Sequence, residues 1–400
     1  MMDKNQKKKK PYFKTRITHI KSSLYEILLS VLGASALIVQ PQITNAANSA
    51  PPLSCSDTYL PVALAPGESS QYQVYGQLCS RYPLSNRTVQ VLVPGGTYDH
   101  NYWDLSYQPE QYSYVDALTQ AGYATFNIDR IGIGNSSRPP ADQVTVQSNG
   151  YVLNQVNQLL RSGKINGVQF DNIINVGHSL GSIIAIETAI QYGGVDGVIL
   201  SGLIHNLRSD SAQALRDSLY PAQLDPRLSE ENVPEGYRTT LPGTRGQLFY
   251  NQSNTDPQVI ALDEATKQTQ TTGEAAALRG GVAALPDTRQ INVPVLLAIG
   301  QKDNLSCIDN ICNPENVPAF EAPFFSPQAQ LQTYVLPDAG HVMNLELNAS
   351  LWYYAARQWS DRFVGTISVS VPEPASVVGL LMLTAGGSLL VLQKLVDEKR

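Results

Sequence analysis

The chain is expected to fold as an α/β protein, a doubly wound and mostly parallel sheet carrying an inserted cap. Three observations lead there. Short, fully apolar runs alternate with stretches of helical period, as parallel strands buried on both faces do. A serine flanked by glycines sits where one such run gives way to a helical pattern. Later, some 85 residues break the rhythm with loop-rich polar sequence, too long for an ordinary connection and therefore read as an inserted unit.

Both ends lie outside this pattern. Residues 1–47 combine a lysine-rich start, an apolar stretch near Ile27 to Val39 and small residues around Asn45-Ala46-Ala47. That is the layout of a secretory signal peptide, with an apolar part too short for a comfortable membrane span. Six basic residues (Lys4, Lys7, Lys8, Lys9, Lys10 and Lys14) fall in the first fourteen positions, so the remainder is more acidic than the net charge of −6 suggests. With no basic face elsewhere, a nucleic-acid partner is not expected. Of the 400 residues, 42% are hydrophobic and only 16% charged. The core can therefore be large, while Gln, Asn, Ser, Thr and 20 tyrosines make an exported kind of surface.

In order along the middle, "TVQVLVPGG" is a strand over Thr88 to Val93, and "YVDALTQAGY" a short amphipathic helix ending at Gly122. "YATFNID" (123–129) is the next strand. "QVTVQSNGYVLNQVNQLLRSG" is a helix with Val152, Val156, Leu159 and Leu160 at three- and four-residue intervals. "NIINVG" reads as a buried strand and "GSIIAIETAIQYGG" as a buried helix closed by glycines. "GVILSG", "VPVLLAIG" and "LQTYVLPDAGH" supply further strands, and "SLWYYAARQWSDRFV" a last amphipathic helix. The expected parts are a core over 48–203 and 293–366, with the cap over 204–292. In the cap only short stretches such as "PQVIALDEATKQT" look helical.

Gly177-His178-Ser179-Leu180-Gly181 fits G-x-S-x-G between an apolar strand and a helix, the placement a nucleophile elbow requires. Glycines remove Cβ atoms where strand and helix pinch together, leaving Ser179 strained with its hydroxyl exposed. A serine hydroxyl needs a base within hydrogen-bond reach. The five histidines are His19, His100, His178, His205 and His341, and only His341 ends a late strand just before the last helix. A carboxylate must orient that base. Asp303, just past "LLAIG", fits; Asp309 is the alternative, and Asp338 is too close in sequence to reach around His341.

The order Ser179, Asp303, His341, each after its own strand, resembles the α/β-hydrolase superfamily over roughly residues 70 to 365. The resemblance implies a hydrolase core with its cap between the sixth and seventh strands. It implies an oxyanion site built from the amide of Leu180 and one from the loop "PGGTYDHNYWD". There Thr97 is the expected donor and Tyr98 the alternative, with Pro94-Gly95-Gly96 replacing the commoner His-Gly pair. "DRIGIGNSSRP" (129–139) is also similar to the family and is read as structural, with Arg130 paired to an acid. The expected activity is cleavage of small-molecule carboxylic esters through an acyl-enzyme, needing neither metal nor organic cofactor. Dehalogenases and epoxide hydrolases of this kind place aspartate at the elbow, so Ser179 argues against both. Amide or carbon–carbon bond hydrolysis on the same fold is an alternative, as is a surface-displayed binding or matrix protein on a hydrolase shell. The cap is too polar for an interfacial lipase lid; its Tyr220, Tyr237, Phe249 and Tyr250 are expected mainly in packing.

At the far end, Val371-Pro372-Glu373-Pro374 precedes 18 residues without charge, Ala375 to Leu392, then Lys394, Lys399 and Arg400. As a helix that stretch is about 27 Å long. Residues 367–400 resemble the PEP-CTERM sorting tag of exported bacterial proteins, with Asp397 and Glu398 departing from its basic tail. The tag implies export and sorting machinery as partners and membrane contact before any processing. Export in turn turns the four cysteines, Cys55, Cys79, Cys307 and Cys312, towards disulfides. Three pairings are possible; joining sequence neighbours, Cys55 to Cys79 and Cys307 to Cys312, needs the least rearrangement. No Cys-x-x-Cys is present, so structural zinc is not expected.

Overall fold

The computed structural model describes residues 50–206, 209–276, 285–307 and 311–365. The expected leader and the segment resembling a sorting tag lie outside the described residues. Eight strands form one sheet: β1 (Ser54–Val62), β2 (Tyr72–Ser80), β3 (Thr88–Val93), β4 (Ala124–Ile128), β5 (Asn172–His178), β6 (Gly197–Ser201), β10 (Val295–Gly300) and β11 (Gln332–Leu336). Their order is β1-β2-β4-β3-β5-β6-β10-β11. β2 runs antiparallel to both β1 and β4, and every later pairing in this sheet is parallel.

Side-chain alternation sorts the two faces. On β3, Val89, Val91 and Val93 join the same apolar cluster as α3 (Val146–Arg161) and α4 (Leu180–Gln191). Leu92 points the other way, into a cluster with α2 (Tyr114–Gln120) and α10 (Ala349–Phe363). Gln90 shares that second face, where its amide is satisfied by Tyr114 Oη (2.8 Å) and Ser360 Oγ (3.1 Å). The helices start where their sequences direct. Thr145 and Ser148 form a reciprocal cap at the head of α3, and Ser113 accepts from the Asp116 N–H at the head of α2. A four-residue turn of helix, α1 (Pro109–Tyr112), precedes α2, and α9 (Val317–Glu321) lies between β10 and β11.

The sequence reading assigned no strand before Thr88, yet β1 and β2 make a nine-pair antiparallel hairpin. β1 is a sheet edge with an exposed outer face, so its sequence "SCSDTYLPV" lacks the apolar run that marks the buried strands. Cys55 stands opposite Cys79 in this register, and the two are bonded, their Cα atoms 4.1 Å apart. Cys307 pairs with Cys312. Both pairings join sequence neighbours.

Between β6 and β10 the chain builds α5 (Ser209–Ser218), β7 (Leu219–Pro221), β8 (Tyr237–Thr240), α6 (Arg245–Phe249), α7 (Pro257–Thr266), β9 (Gln270–Thr271) and α8 (Thr272–Ala276). β7, β8 and β9 form a separate antiparallel sheet that the loop-rich reading did not include. Its strands are two to four residues long, too short to show a period. Many of the polar residues here are interior partners. Lys267 Nζ meets Asp225 at 2.7 Å and donates to the Thr240 carbonyl at 2.8 Å. No helix among the described residues is long and apolar enough to cross a membrane.

The hairpin disulfide closes a 24-residue separation. Replacing Cys55 and Cys79 together by alanine is expected to lower unfolding free energy by about 2–4 kcal/mol. Denaturant midpoints of the two proteins check this, with a shift at least as large expected when the wild type is reduced, because Cys307–Cys312 then opens as well.

Candidate active site

The corner between β5 and α4 is a steric pinch. A Cβ on Gly177 would collide with the backbone of Gly181, and one on Gly181 with the Val93 carbonyl of the neighbouring strand. Only hydrogen fits at either place. The residue between must turn sharply, and Ser179 has φ 52° and ψ −115°. Positive φ strains a residue with a side chain, at a cost of about 1–3 kcal/mol. Ser179 also occupies the N-cap position of α4, yet its side chain makes no capping hydrogen bond. The hydroxyl is therefore not spent on the helix and borders a cavity that His341 also lines.

His341 and Asp303 come from the ends of β11 and β10. Nδ1 of His341 lies 2.8 Å from Asp303 Oδ2, with both residues almost wholly buried. A carboxylate only accepts, so Nδ1 carries the proton and Nε2 is left as an acceptor. The other carboxylate oxygen, Oδ1, accepts from the Leu305 N–H (2.8 Å) and Ser306 N–H (3.3 Å), which holds Asp303 in place. The histidine loop is tied as well. His341 N–H donates to the Phe249 carbonyl (2.7 Å), and the preceding Gly340 N–H donates to Glu346 Oε1 (2.8 Å).

His178, the residue before the serine, is fully buried, stacked on Tyr102 with ring centroids 4.2 Å apart and 4.8 Å from the His341 ring. Burial, with the neighbouring His341, pushes its pKa well below the ordinary histidine value. It stays neutral, so no second cation competes with an imidazolium at His341.

The loop after β3 approaches the elbow from the other side. A Cβ on Gly95 would lie 3.3 Å from the Ser179 Cβ, and Gly96, Ser179, Leu180 and His341 border one small recess. Thr97, the expected oxyanion donor, borders the same recess. Its N–H donates to the Thr269 carbonyl (3.3 Å), and its Oγ1 accepts from Arg245 Nη1 (2.9 Å). Tyr98 N–H is likewise taken, by the Gly95 carbonyl at 3.3 Å. The cap thus holds the Thr97 amide and the loop itself the Tyr98 amide, while Gly96, Thr97 and Tyr98 all border the recess with Ser179. Leu180 is the first residue of α4, where amides lack an intrahelical partner.

Two buried arginines fix this loop. Arg130 Nε donates to the Pro94 carbonyl (2.9 Å) and Nη2 to the Gly95 carbonyl (3.0 Å), while Nη1 pairs with Glu274 on α8. The acid expected for Arg130 is thus a cap residue 144 positions away. Arg245 lies 4.1 Å from the Tyr98 ring and pairs with Asp263 (2.8 Å), whose other oxygen accepts from Tyr98 Oη (3.2 Å) and Tyr250 Oη (2.8 Å). Nothing in the spacing of Arg245, Asp263, Glu274 or Glu346 distinguishes them from surface charges, and the sequence reading missed all four. Of the cap aromatics, Phe249 borders the recess, Tyr237 and Tyr250 are buried in packing, and Tyr220 donates to Asp225 (2.6 Å).

His100 and His205 belong to other networks. His100 Nδ1 lies 2.7 Å from Asp129 Oδ1. Burial opposes its charge, but Asp129, with Asp99 and Asp104, raises its pKa to about 9. Asp99, His100 and Asp129 are close enough together to hold a cation. Their carboxylates are already engaged: Asp129 by His100 and the Asn135 N–H, Asp99 by Asn101 and Gln268. His205 bonds Glu321 (2.6 Å) at the entrance to the cap.

A family model described as "Alpha/beta hydrolase family" matches residues 90–351. Among solved structures, a thermophilic esterase from Thermogutta terrifontis with malate bound is 21% identical. That match covers 76% of this chain and 97% of the esterase, with a TM-score of 0.50. A soluble variant of monoglyceride lipase from Saccharomyces cerevisiae, in complex with a substrate analogue, is 18% identical over 77% of this chain and 96% of its own, with a TM-score of 0.52. The alpha/beta hydrolase GrgF from Penicillium sp. sh18 is 13% identical over 78% and 99%, with a TM-score of 0.51. These likenesses are of fold. Among curated proteins, no sequence match is found.

Removing one partner of the Arg245–Asp263 pair strands a buried charge. Arg245→Met is expected to destabilise the protein by about 3–5 kcal/mol in chemical denaturation, and adding Asp263→Leu should recover part of the loss.

Burial raises the Glu346 pKa from 4.5 to about 7, against the opposing pull of the Asn251 and Gly340 N–H groups and Thr255. The folded state therefore holds this proton more tightly than the unfolded chain. The stabilisation is full below the unfolded value of 4.5 and fades as pH rises towards 7. Glu346→Gln should flatten that loss, on the order of 3 kcal/mol at most, in melting curves taken between the two values.

Proposed function

The chain belongs to the alpha/beta hydrolase family, and we propose that it is an exported serine hydrolase that cleaves carboxylic esters through an acyl-enzyme. The observation that carries this reading is the 2.8 Å contact of His341 Nδ1 with Asp303, beside a cavity that His341 shares with Ser179 at a strained elbow. In the first half-reaction His341 Nε2 takes the Ser179 proton as Oγ bonds to the ester carbonyl carbon. The resulting oxyanion is met by the Leu180 and Gly96 amides, each such donor worth about 3 kcal/mol in the transition state. As the tetrahedral adduct collapses, the carbon–oxygen bond to the alcohol breaks and His341 returns the proton to the leaving oxygen. Water then repeats the sequence on the acyl-enzyme and frees the acid. Asp303 keeps Nδ1 protonated and favours the imidazolium while it exists. Two disulfides support an oxidising compartment, which agrees with the leader-like start and the Val371-Pro372-Glu373-Pro374 segment.

Ser179→Ala is expected to lower turnover of an ester by about a millionfold and to abolish labelling by a fluorophosphonate probe. Wild-type protein that neither turns over esters nor takes up the probe would instead be a binding protein on a hydrolase shell.

A further inference from the structure

The cavity in front of Ser179 has an uneven lining. Its volume of about 190 Å³ is somewhat larger than the ~150 Å³ that houses a benzene-sized ligand, so the group it takes is short. Leu180, Ile183, Leu203, Leu215 and Leu305 make an apolar wall around the serine and histidine. On the cap side two arginines line the same space, Arg216 from α5 and Arg238 from β8.

These two differ from the other described arginines of the cap. Arg227 pairs with Glu231, and Arg245 with Asp263. Arg238 instead donates to the Leu219 carbonyl (2.5 Å) and Arg216 to the Gln213 side-chain oxygen (2.6 Å), both neutral acceptors. Neither Arg216 nor Arg238 forms an ion pair with a described residue. Arg238 is half-buried and Arg216 exposed. Each retains several N–H donors in a cavity whose remaining lining, the apolar wall with Gln270, Thr271, Thr272 and Ser306, holds no acid. A charged partner at half-buried Arg238 is screened less than in open water. A neutral acyl chain satisfies the wall and wastes both cations.

We propose that this cavity selects esters whose acyl group is short and ends in a carboxylate, the simplest being hemiesters of dicarboxylic acids. The inference rests on the serine-hydrolase reading. The ester carbonyl sits at Ser179, a few methylenes cross the leucine wall, and the distal carboxylate accepts from Arg238 and Arg216. Charge-assisted bonds of this kind are stronger than neutral ones and are geometrically selective when arginine donates.

The test compares para-nitrophenyl hydrogen glutarate with para-nitrophenyl pentanoate, uncatalysed hydrolysis subtracted, in wild type, Arg216→Gln, Arg238→Gln and the double variant. The expected wild-type kcat/KM ratio favours the anionic ester by roughly 10- to 100-fold. The ratio should fall in each single variant, approach parity in the double variant, and shrink in wild type as salt is raised. Free glutarate should compete with the pentanoate ester. Turnover of the pentanoate ester with no anionic preference, or a preference that the double variant leaves in place, overturns the inference while the esterase reading stands. No turnover of either ester, with Ser179 unlabelled by the fluorophosphonate probe, overturns both. If loss of the Arg238–Leu219 bond unfolds the protein, Arg216→Gln and the salt dependence of the wild-type ratio still decide.

Discussion

Everything at the candidate site depends on the steric pinch between β5, α4 and β3. Gly177 and Gly181 bring three backbone segments closer than any side chain allows. The strain this puts on Ser179 is sustained by the burial of the elements on either side. β5 lies inside a parallel sheet, and α4 carries Leu180, Ile183, Ile184, Ala185 and Ile186 into the apolar cluster. Each of the leucine and isoleucine side chains contributes about 1.5–3 kcal/mol on burial, more in sum than one left-handed residue costs. A strained serine is thus held by ordinary hydrophobic packing.

The second constraint is polar and joins the cap to the core. Arg130 and Arg245 grip the loop after β3 from opposite sides, and their acids, Glu274 and Asp263, both belong to the cap. Glu346 ties Gly340 and Asn251 together, linking the histidine loop to the segment after α6. Buried pairs add little net stability over apolar replacements, but they are directional. Here they set where carbonyls and amides of the active-site loops point. The same network fixes Thr97, whose amide and hydroxyl are both held by cap residues.

The legible part of the fold was the part whose neighbours impose a repeating pattern. Buried parallel strands such as Asn172–His178 and amphipathic helices such as Val146–Arg161 appear where the sequence periods put them. The β1–β2 hairpin and the short cap strands did not appear, because an exposed edge and a two-residue strand impose no period. The candidate triad was readable for a different reason. Each of its residues follows a strand, and chain order alone limits which histidine and which aspartate reach one end of the sheet.

By itself, then, the sequence determined the parallel strands of the sheet, the elbow and the identities of Ser179, His341 and Asp303 as candidates, because these follow from local sterics and from strand order. Tertiary structure alone decided which loop amides are engaged, which charges are buried and which two arginines line the cavity without an ion pair to a described residue. Those outcomes depend on contacts between residues more than a hundred positions apart, such as Arg130 with Glu274 and Thr97 with Arg245. A contact of that range leaves no period, spacing or composition for a single chain to display.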